Sequence, residues 1–313
     1  MIQVCRYQVS DKPDWDYFIP QSKNGTLLHY RDFMDYHAHR YTDHSLMVYE
    51  QGSLVALLPA NLKDSTLYSH EGLTFGGLLT RPQVKLQQVI AYFDGVVEYL
   101  NSAGINTMYY KSIPVYYHQV LAQEDEYALF LKGATLVRRD TSIVIDLSQP
   151  ILKQERRRRG VKKALGYDLV IERSNDFKGF WNHVLVPNLN RRFQVDPVHT
   201  VEEILYLQKL FPNYIHLYGA FSKGDYVGGT VLFINGNTTH AQYIAANEEG
   251  RKLYALDLLF EELIHHKFEG MRYFSLGICN EKEGKYLNSG LTEWKQSFGG
   301  QVMLHNFYKL VIE

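Results

Sequence analysis

Two cysteines in 313 residues, Cys5 and Cys279, exclude a disulfide framework. They lie far apart with no partner motif, which fits a reducing compartment and predicts a cytoplasmic protein. Long apolar runs are missing too: nothing approaches the roughly 20 residues that cross a bilayer, so no transmembrane segment is expected. The opening MIQVCRYQVSDKPDW has no apolar core of the kind a signal peptide needs. Charge of one sign is also missing. Lys and Arg total 33 and Asp and Glu 34, for a net charge of -1. That balance gives no general pull toward DNA or an anionic membrane. No P-loop, G-x-S-x-G elbow or Rossmann glycine pattern occurs. His37-x-His39 and His265-His266 stand without carboxylate or cysteine company, so no metal site is expected.

What is present is a core. Hydrophobic residues make up 45% of the chain and charged ones 21%, with 24 Tyr and 16 Phe. That is material for one large or two ordinary domains. Residues 1–40 read as a helical entry, with Trp15, Phe18 and Ile19 on one face and a second start at Tyr30, Phe33 and Met34. A hairpin follows, 45–49 and 54–59 around Gln51-Gly52, and then a third strand at 67–70. Pro82 suits the first turn of a helix. Leu86, Val89, Ile90, Phe93, Val97 and Leu100 continue it at helical spacing. Gly104 ends that helix before a strand at 105–110.

The plan recurs. A hairpin spans 215–221 and 226–234 around Lys223-Gly224, and Thr239–Ala245 is a third strand. Leu253, Leu256, Leu259, Phe260 and Leu263 mark a helix, which Gly270 ends before a strand at 271–276. Gly52 to Gly104 and Gly224 to Gly270 are 52 and 46 residues apart. Two copies of hairpin, strand, helix, strand indicate two like domains. They are expected at residues 1–147 and 148–313. Between the copies lies a basic helix from Ile151 to Leu165 with Arg156 to Arg159, Lys162 and Lys163. Its plainer reading is a solvated face, and its functional reading is phosphate contact. Asp196-Pro197-Val198-His199-Thr200 is expected to open a further helix, with Glu202 and Glu203 in its first turn.

The most specific stretch is Ser275 to Gly300, SLGICNEKEGKYLNSGLTEWKQSFGG. It is read as a strand end, a Gly- and Asn-rich loop, and a short helix carrying Trp294 and Lys295 up to Gly299-Gly300. The order Leu-Gly, Leu-Asn-Ser-Gly-Leu, Trp-Lys, Phe-Gly-Gly resembles the C-terminal signature of the Fem-type (FemAB-like) peptidyltransferases. It is also similar to that of their N-acyltransferase relatives on the GNAT fold. The lysine and Phe-Gly of that signature fall on Lys295, Phe298 and Gly299. The resemblance implies an α+β protein with a mixed sheet, built of tandem GNAT-like (acyl-CoA N-acyltransferase) domains.

It also implies an enzyme, an N-acyltransferase passing an acyl group from acyl-CoA or an acyl carrier protein to an amine. The acceptor would be an amino sugar, an amino acid or a cell-envelope precursor. No tightly bound cofactor is implied, with acyl-CoA as co-substrate. Two alternatives stay open. One is an aminoacyl-tRNA-dependent peptidyltransferase acting on a peptidoglycan precursor. The helical arm of some Fem proteins has no room between Phe177 and Phe211. The other is a GNAT pair that only binds a ligand.

Site residues follow from the resemblance. Lys295 would stabilise charge at the donor carbonyl, with Trp294 and Phe298 shielding it. Donor contacts would come from Tyr243, Ile244 and Ala245 of a bulged strand and from Asn247, Gly250, Arg251 and Lys252 at the next helix start. Asn280, Asn288 and Phe298 complete that set. The GNAT fingerprint Gln/Arg-x-x-Gly-x-Gly/Ala is not clean, since Gly250 and Ala255 stand five apart. His70 and Glu71 are candidates for taking the amine's proton. Phe75, Gly76, Lys111, Arg191 and Arg192 are expected around the acceptor, with His199 as a further candidate.

Overall fold

The structure is a computed structural model that describes residues 1–312, and of Arg192 and Phe193 the backbone alone. Its strands run β1 (Ile2–Arg6), β2 (Thr42–Asp43), β3 (Leu46–Glu50), β4 (Ser53–Leu58), β5 (Asn61–Lys63), β6 (Thr66–Tyr68), β7 (Leu79–Thr80), β8 (Thr107–Lys111), β9 (Thr135–Asp146), β10 (Leu169–Ser174), β11 (Ile215–Ser222), β12 (Asp225–Asn235), β13 (Thr238–Ala246), β14 (Tyr273–Ile278), β15 (Asn280–Glu281), β16 (Tyr286–Leu287) and β17 (Gln301–Val311). The helices are α1 (Lys12–Phe18), α2 (Arg31–Asp35), α3 (Leu86–Ser102), α4 (Glu124–Leu131), α5 (Glu155–Ala164), α6 (Phe177–Phe180), α7 (Val186–Phe193), α8 (Val201–Leu210), α9 (Glu248–Lys252), α10 (Ala255–Glu262) and α11 (Ser289–Gln296). The chain divides into two units, one of residues 1–141, 280–286 and 304 onward, the other of 142–279 and 287–303. A division at 147/148 does not anticipate the two later returns to the first unit.

In the N-terminal unit β1 pairs antiparallel with β3, β3 with β4 and β4 with β7. Residues 1–40 therefore do not open in a helix. Ile2–Arg6 finds hydrogen-bond partners along Leu46–Glu50, and the helix begins only at Lys12. Its Trp15 and Phe18, and Ile19 just after it, are buried as the spacing predicts. Pro82 precedes the long helix rather than starting it, and α3 begins at Leu86. Val89, Tyr92, Phe93, Val96 and Leu100 of α3 enter the core with Met108, Tyr110 and Leu310. Burial of each such side chain contributes about 1.5–3 kcal/mol. Strand β8 lies parallel to β6 on one side and antiparallel to β17 on the other.

The C-terminal unit runs β10, β11, β12, β13 in antiparallel order. Next comes β14, parallel to β13, and then residues 142–146 of β9. Each unit thus has a parallel strand pair joined through helix, β6 and β8 through α3, β13 and β14 through α9 and α10. The basic helix is shorter than expected, Glu155–Ala164. The helix expected after Asp196-Pro197-Val198-His199-Thr200 is α8, capped by Thr200, which accepts from the backbone N–H of Glu203 while Glu203 reaches back. Among the described residues no helix is long and apolar enough to cross a membrane.

Candidate active site

The parallel ladder between β13 and β14 is short. It joins Thr238 to Tyr273, Thr239 to Phe274 and His240 to Ser275. Beyond it β13 continues to Ala246 and β14 to Ile278. Strand β13 also carries a bulge: Tyr243 faces Val231 and Ala241 faces Leu232, so Gln242 is the extra residue. Where the two strands leave the ladder, His240, Ser275, Gly277 and Lys295 come together. The Nδ1 of His240 is 3.1 Å from Ser275 Oγ, and the N–H of Gly277 donates to the same oxygen at 3.3 Å. Gly277 has φ +79°; a Cβ there would stand 3.3 Å from His240 Cε1 and 3.7 Å from Lys295 Nζ. The position suits glycine on both counts.

Lys295 projects from α11, whose first turn is capped by Asn288 Oδ1 accepting from the Leu291 N–H at 3.0 Å. Its side chain is buried and Nζ donates to the carbonyl of Ile278 at 2.8 Å. An ammonium has three donors, so two stay available toward Gly277. Burial lowers its pKa to about 8, against a smaller raising effect from the Cys279 thiol. The ammonium form therefore still dominates at neutral pH. Burial and the nearby Lys295 charge push His240 down to about 4, so its imidazole is neutral. The helix is held from behind by Trp294 and Phe298, which pack on Phe260 at 6.0 and 5.2 Å between ring centres. Arg157 of α5 stacks over Phe298, pairs with Asp257 at 3.0 Å and donates to Ser297 Oγ at 2.7 Å. That residue of the basic helix is a brace.

The expected donor residues take varied places. Tyr243 is buried, its hydroxyl 2.6 Å from His199 Nδ1 and accepting from the His199 N–H. Ile244 and Ala245 follow in β13, half-buried and buried. At the helix start Asn247 Oδ1 already accepts from the Gly250 N–H at 2.8 Å. Gly250 is a glycine because a Cβ would stand 2.0 Å from the Val227 carbonyl oxygen. Arg251 folds back onto Ala246 O and Asn188 Oδ1, Lys252 is exposed, and Glu248 and Glu249 fill the first turn. The Gly250 amide in this turn is taken, and Glu248 and Glu249 carry negative charge at its start. Asn280 serves the N-terminal unit, accepting from Thr141 and donating to Asp140 at 2.7 Å. Asn288 is a helix cap and Phe298 lies in the core. Arg191 is exposed and paired with Glu248. The side chain of Arg192 lies outside the described residues.

In the N-terminal unit Lys111 ends β8, and its Nζ donates to the carbonyls of His70, Glu71 and Leu73 at 3.0, 3.1 and 2.7 Å. All three donors are spent on that loop. His70 has φ +62° and a buried ring beside His37 and Tyr41. Burial holds it well below the ordinary histidine range, so it is neutral. Glu71 Oε2 accepts from Asn61 Nδ2 at 2.8 Å. Phe75 is core, 4.6 Å from Tyr117, and Gly76 packs where a Cβ would stand 2.0 Å from the Ser69 carbonyl oxygen. Glu71 and Lys111 do share a cavity of about 510 Å³ with Tyr68, Tyr109, Arg138 and Phe307. Tyr68 and Tyr109 stack there at 5.2 Å and 7°.

His240, Ser275 and the bulged Gln242 escape the sequence reading. A histidine inside a strand-forming run, Thr-Thr-His-Ala-Gln-Tyr, was the available signal. Among the described residues no cluster of three or more His, Cys, Asp or Glu side chains is placed to hold a metal ion.

Residues 153–296 match the acetyltransferase (GNAT) domain family. No curated protein matches the sequence. Among solved structures, FemX superposes with a TM-score of 0.71 at 11% identity, over 99% of this chain and 97% of that one. L-PGS from Bacillus licheniformis gives a TM-score of 0.63 at 13% identity, over 96% and 91%. A conserved protein of unknown function from Bacteroides thetaiotaomicron gives 0.61 at 13% identity, over 99% and 100%. At such identities the likeness is one of fold. The chain carries a GNAT acetyltransferase domain at residues 153–296 and has the fold of FemX.

Proposed function

We propose that this acyltransferase passes an acyl group from an activated ester or thioester to an amine at the point where β13 and β14 leave their ladder. One observation carries the reading: the buried Lys295 ammonium, held by a single carbonyl, with two donors left beside Gly277. A fixed cation in a water-poor site stabilises the oxyanion that forms when an amine attacks a carbonyl. The bulge at Gln242 offers backbone groups to the same carbonyl.

The donor is acyl-CoA or an acyl carrier protein in the first reading. A second reading, aminoacyl-tRNA passed to a peptidoglycan precursor, draws support from the turn after β13. A CoA diphosphate gains nothing from an amide already bonded to Asn247 or from the Glu248 and Glu249 carboxylates. The acceptor is an amino sugar, an amino acid or a cell-envelope precursor.

The test is a thermal-shift and calorimetric titration with acetyl-CoA, longer acyl-CoAs and free CoA on the wild type and Lys295→Ala. A ligand of the folded state alone raises the melting temperature. Binding with turnover that Lys295→Ala loses supports the CoA reading. No binding at millimolar concentration removes CoA and leaves aminoacyl-tRNA or carrier protein. Binding of CoA without turnover of any amine leaves the ligand-binding pair.

A further inference from the structure

Arg157 of the basic helix α5 turns inward, onto the helix that carries Lys295. Helix α11 has only eight residues, too few to hold its place without tertiary contacts. Trp294 and Phe298 set its depth against Phe260 of α10. Arg157 supplies a second, polar tie. Its Nε donates to Oγ of Ser297, the residue that closes α11, at 2.7 Å, and that hydroxyl donates on to the Trp294 carbonyl at 2.5 Å. Its Nη1 reaches Asp257 of α10 at 3.0 Å, and its flat face covers Phe298 at 4.6 Å. Ser297 is fully buried, and the Arg157 and Asp257 side chains are 11% and 10% exposed. Gly160 lets α5 come this close, since a Cβ there would stand 2.3 Å from Asp257 Oδ1. Trp294 precedes Lys295 in the chain and Ser297 and Phe298 follow it, so the contacts of Arg157 with this helix fall on either side of the lysine.

We propose that Arg157 is a positioning residue that sets where the Lys295 ammonium stands beside Gly277, an inference that rests on the acyl-transfer reading of this site. It acts through α11 and not through its charge. The lysine's own shift comes from burial and, less, from the Cys279 thiol, and His240 of β13 faces it as a neutral ring. With the tie cut, α11 turns on its aromatic contacts, Nζ leaves the Ile278 carbonyl, and water reaches the ammonium. A cation displaced by about 1 Å no longer meets the oxyanion squarely, and such a misplacement costs about 10²-fold. The arginine run is thereby divided. Arg157 serves the site, and Arg158 and Arg159 pair with Glu155 on the surface.

Two readouts test this, one of them free of any substrate. In the first, lysine side chains labelled with ¹³C at Cε are titrated by NMR, and the Lys295 signal is the one lost in Lys295→Met. Its midpoint in the wild type is expected at about 8. In Arg157→Met combined with Asp257→Asn, which leaves no unpaired buried carboxylate, it should rise by about one unit or more toward the ordinary value of about 10.4. Ser297→Ala, which cuts the tie alone, should shift it the same way by less, and Arg158→Ala should leave it in place. An unmoved midpoint in the folded Arg157 variant overturns the proposal whatever the substrate. If that variant does not fold, Ser297→Ala decides. An equal shift in Arg158→Ala also overturns it, because charge and not position would then be the cause. In the second, turnover is followed with acetyl-CoA as donor and glucosamine or glycine as acceptor. The Arg157 variant should lose about 10–10²-fold in kcat at little changed KM, with the upper limb of its pH–rate profile moved to higher pH. Turnover lost in Lys295→Met but kept in the Arg157 variant overturns this inference and leaves the transfer reading standing. Turnover kept in Lys295→Met removes the transfer reading itself. No turnover by the wild type counts against those substrates, and the lysine titration then decides on Arg157.

Discussion

The two units each place a buried lysine ammonium at the end of the strand that follows the repeat's helix, and they spend it differently. Lys111, closing β8, gives all three donors to the carbonyls of His70, Glu71 and Leu73. Lys295 gives one, to the carbonyl of Ile278 at the end of β14. Burial lowers both to about 8. The same desolvation therefore yields a loop clamp in one unit and an incompletely bonded cation in the other. Burial and a shifted pKa do not identify a reactive lysine.

The comparison breaks if the two lysines respond alike. Lys295→Met should lower turnover by about 10²–10³-fold, the usual loss for an oxyanion donor, with little change in melting temperature. Lys111→Met should instead destabilise by about 3 kcal/mol, since three buried carbonyls lose a charged donor, as read by denaturant unfolding. Equal effects on stability would remove the distinction. Next in size is Gly277→Ala: left-handed backbone costs about 1–3 kcal/mol, and the new methyl group meets His240 and Lys295. Activity should therefore fall further than stability alone explains.

The pH dependence sharpens the contrast. A lysine lowered to about 8 in the folded state and near 10.4 in the unfolded chain binds fewer protons when folded over that interval. Stability contributed by such a group rises with pH from about 8 toward 10. Activity that needs the ammonium falls over the same range. A pH–rate profile should thus lose its upper limb above about 8 while thermal stability does not follow it down. The smallest effect is Arg156→Ala, an exposed pair with Glu293, expected to cost under about 1 kcal/mol and to leave turnover unchanged.

The sequence makes the repeat legible because hairpin turns and helix-ending glycines are local signals. Both hairpins and the body of α3 appear where periodicity and turn chemistry place them. What escapes depends on partners distant in the chain. Ile2–Arg6 is a strand only because Leu46–Glu50 is there to pair with it. Gly250 looks like a phosphate-binding glycine until the Val227 carbonyl explains it. Asn280 is committed to Asp140 and Thr141, about 140 residues earlier. His240 needs Ser275, its neighbour across a parallel ladder, which no local pattern announces.

Strand β17 adds a consequence for biosynthesis. Its residues Phe307–Val311 pair with Lys111–Thr107, so one neighbour of β8 leaves the ribosome only after the entire C-terminal unit. Domains that are continuous in sequence can fold in order as they emerge. Here the first unit must wait, with one side of β8 unpaired, while the second is already made. An unpaired strand edge is a template for association with other chains. Chaperone demand and aggregation should therefore peak late in synthesis, and ribosomes stalled before residue 304 should carry a protease-sensitive first unit beside a resistant second.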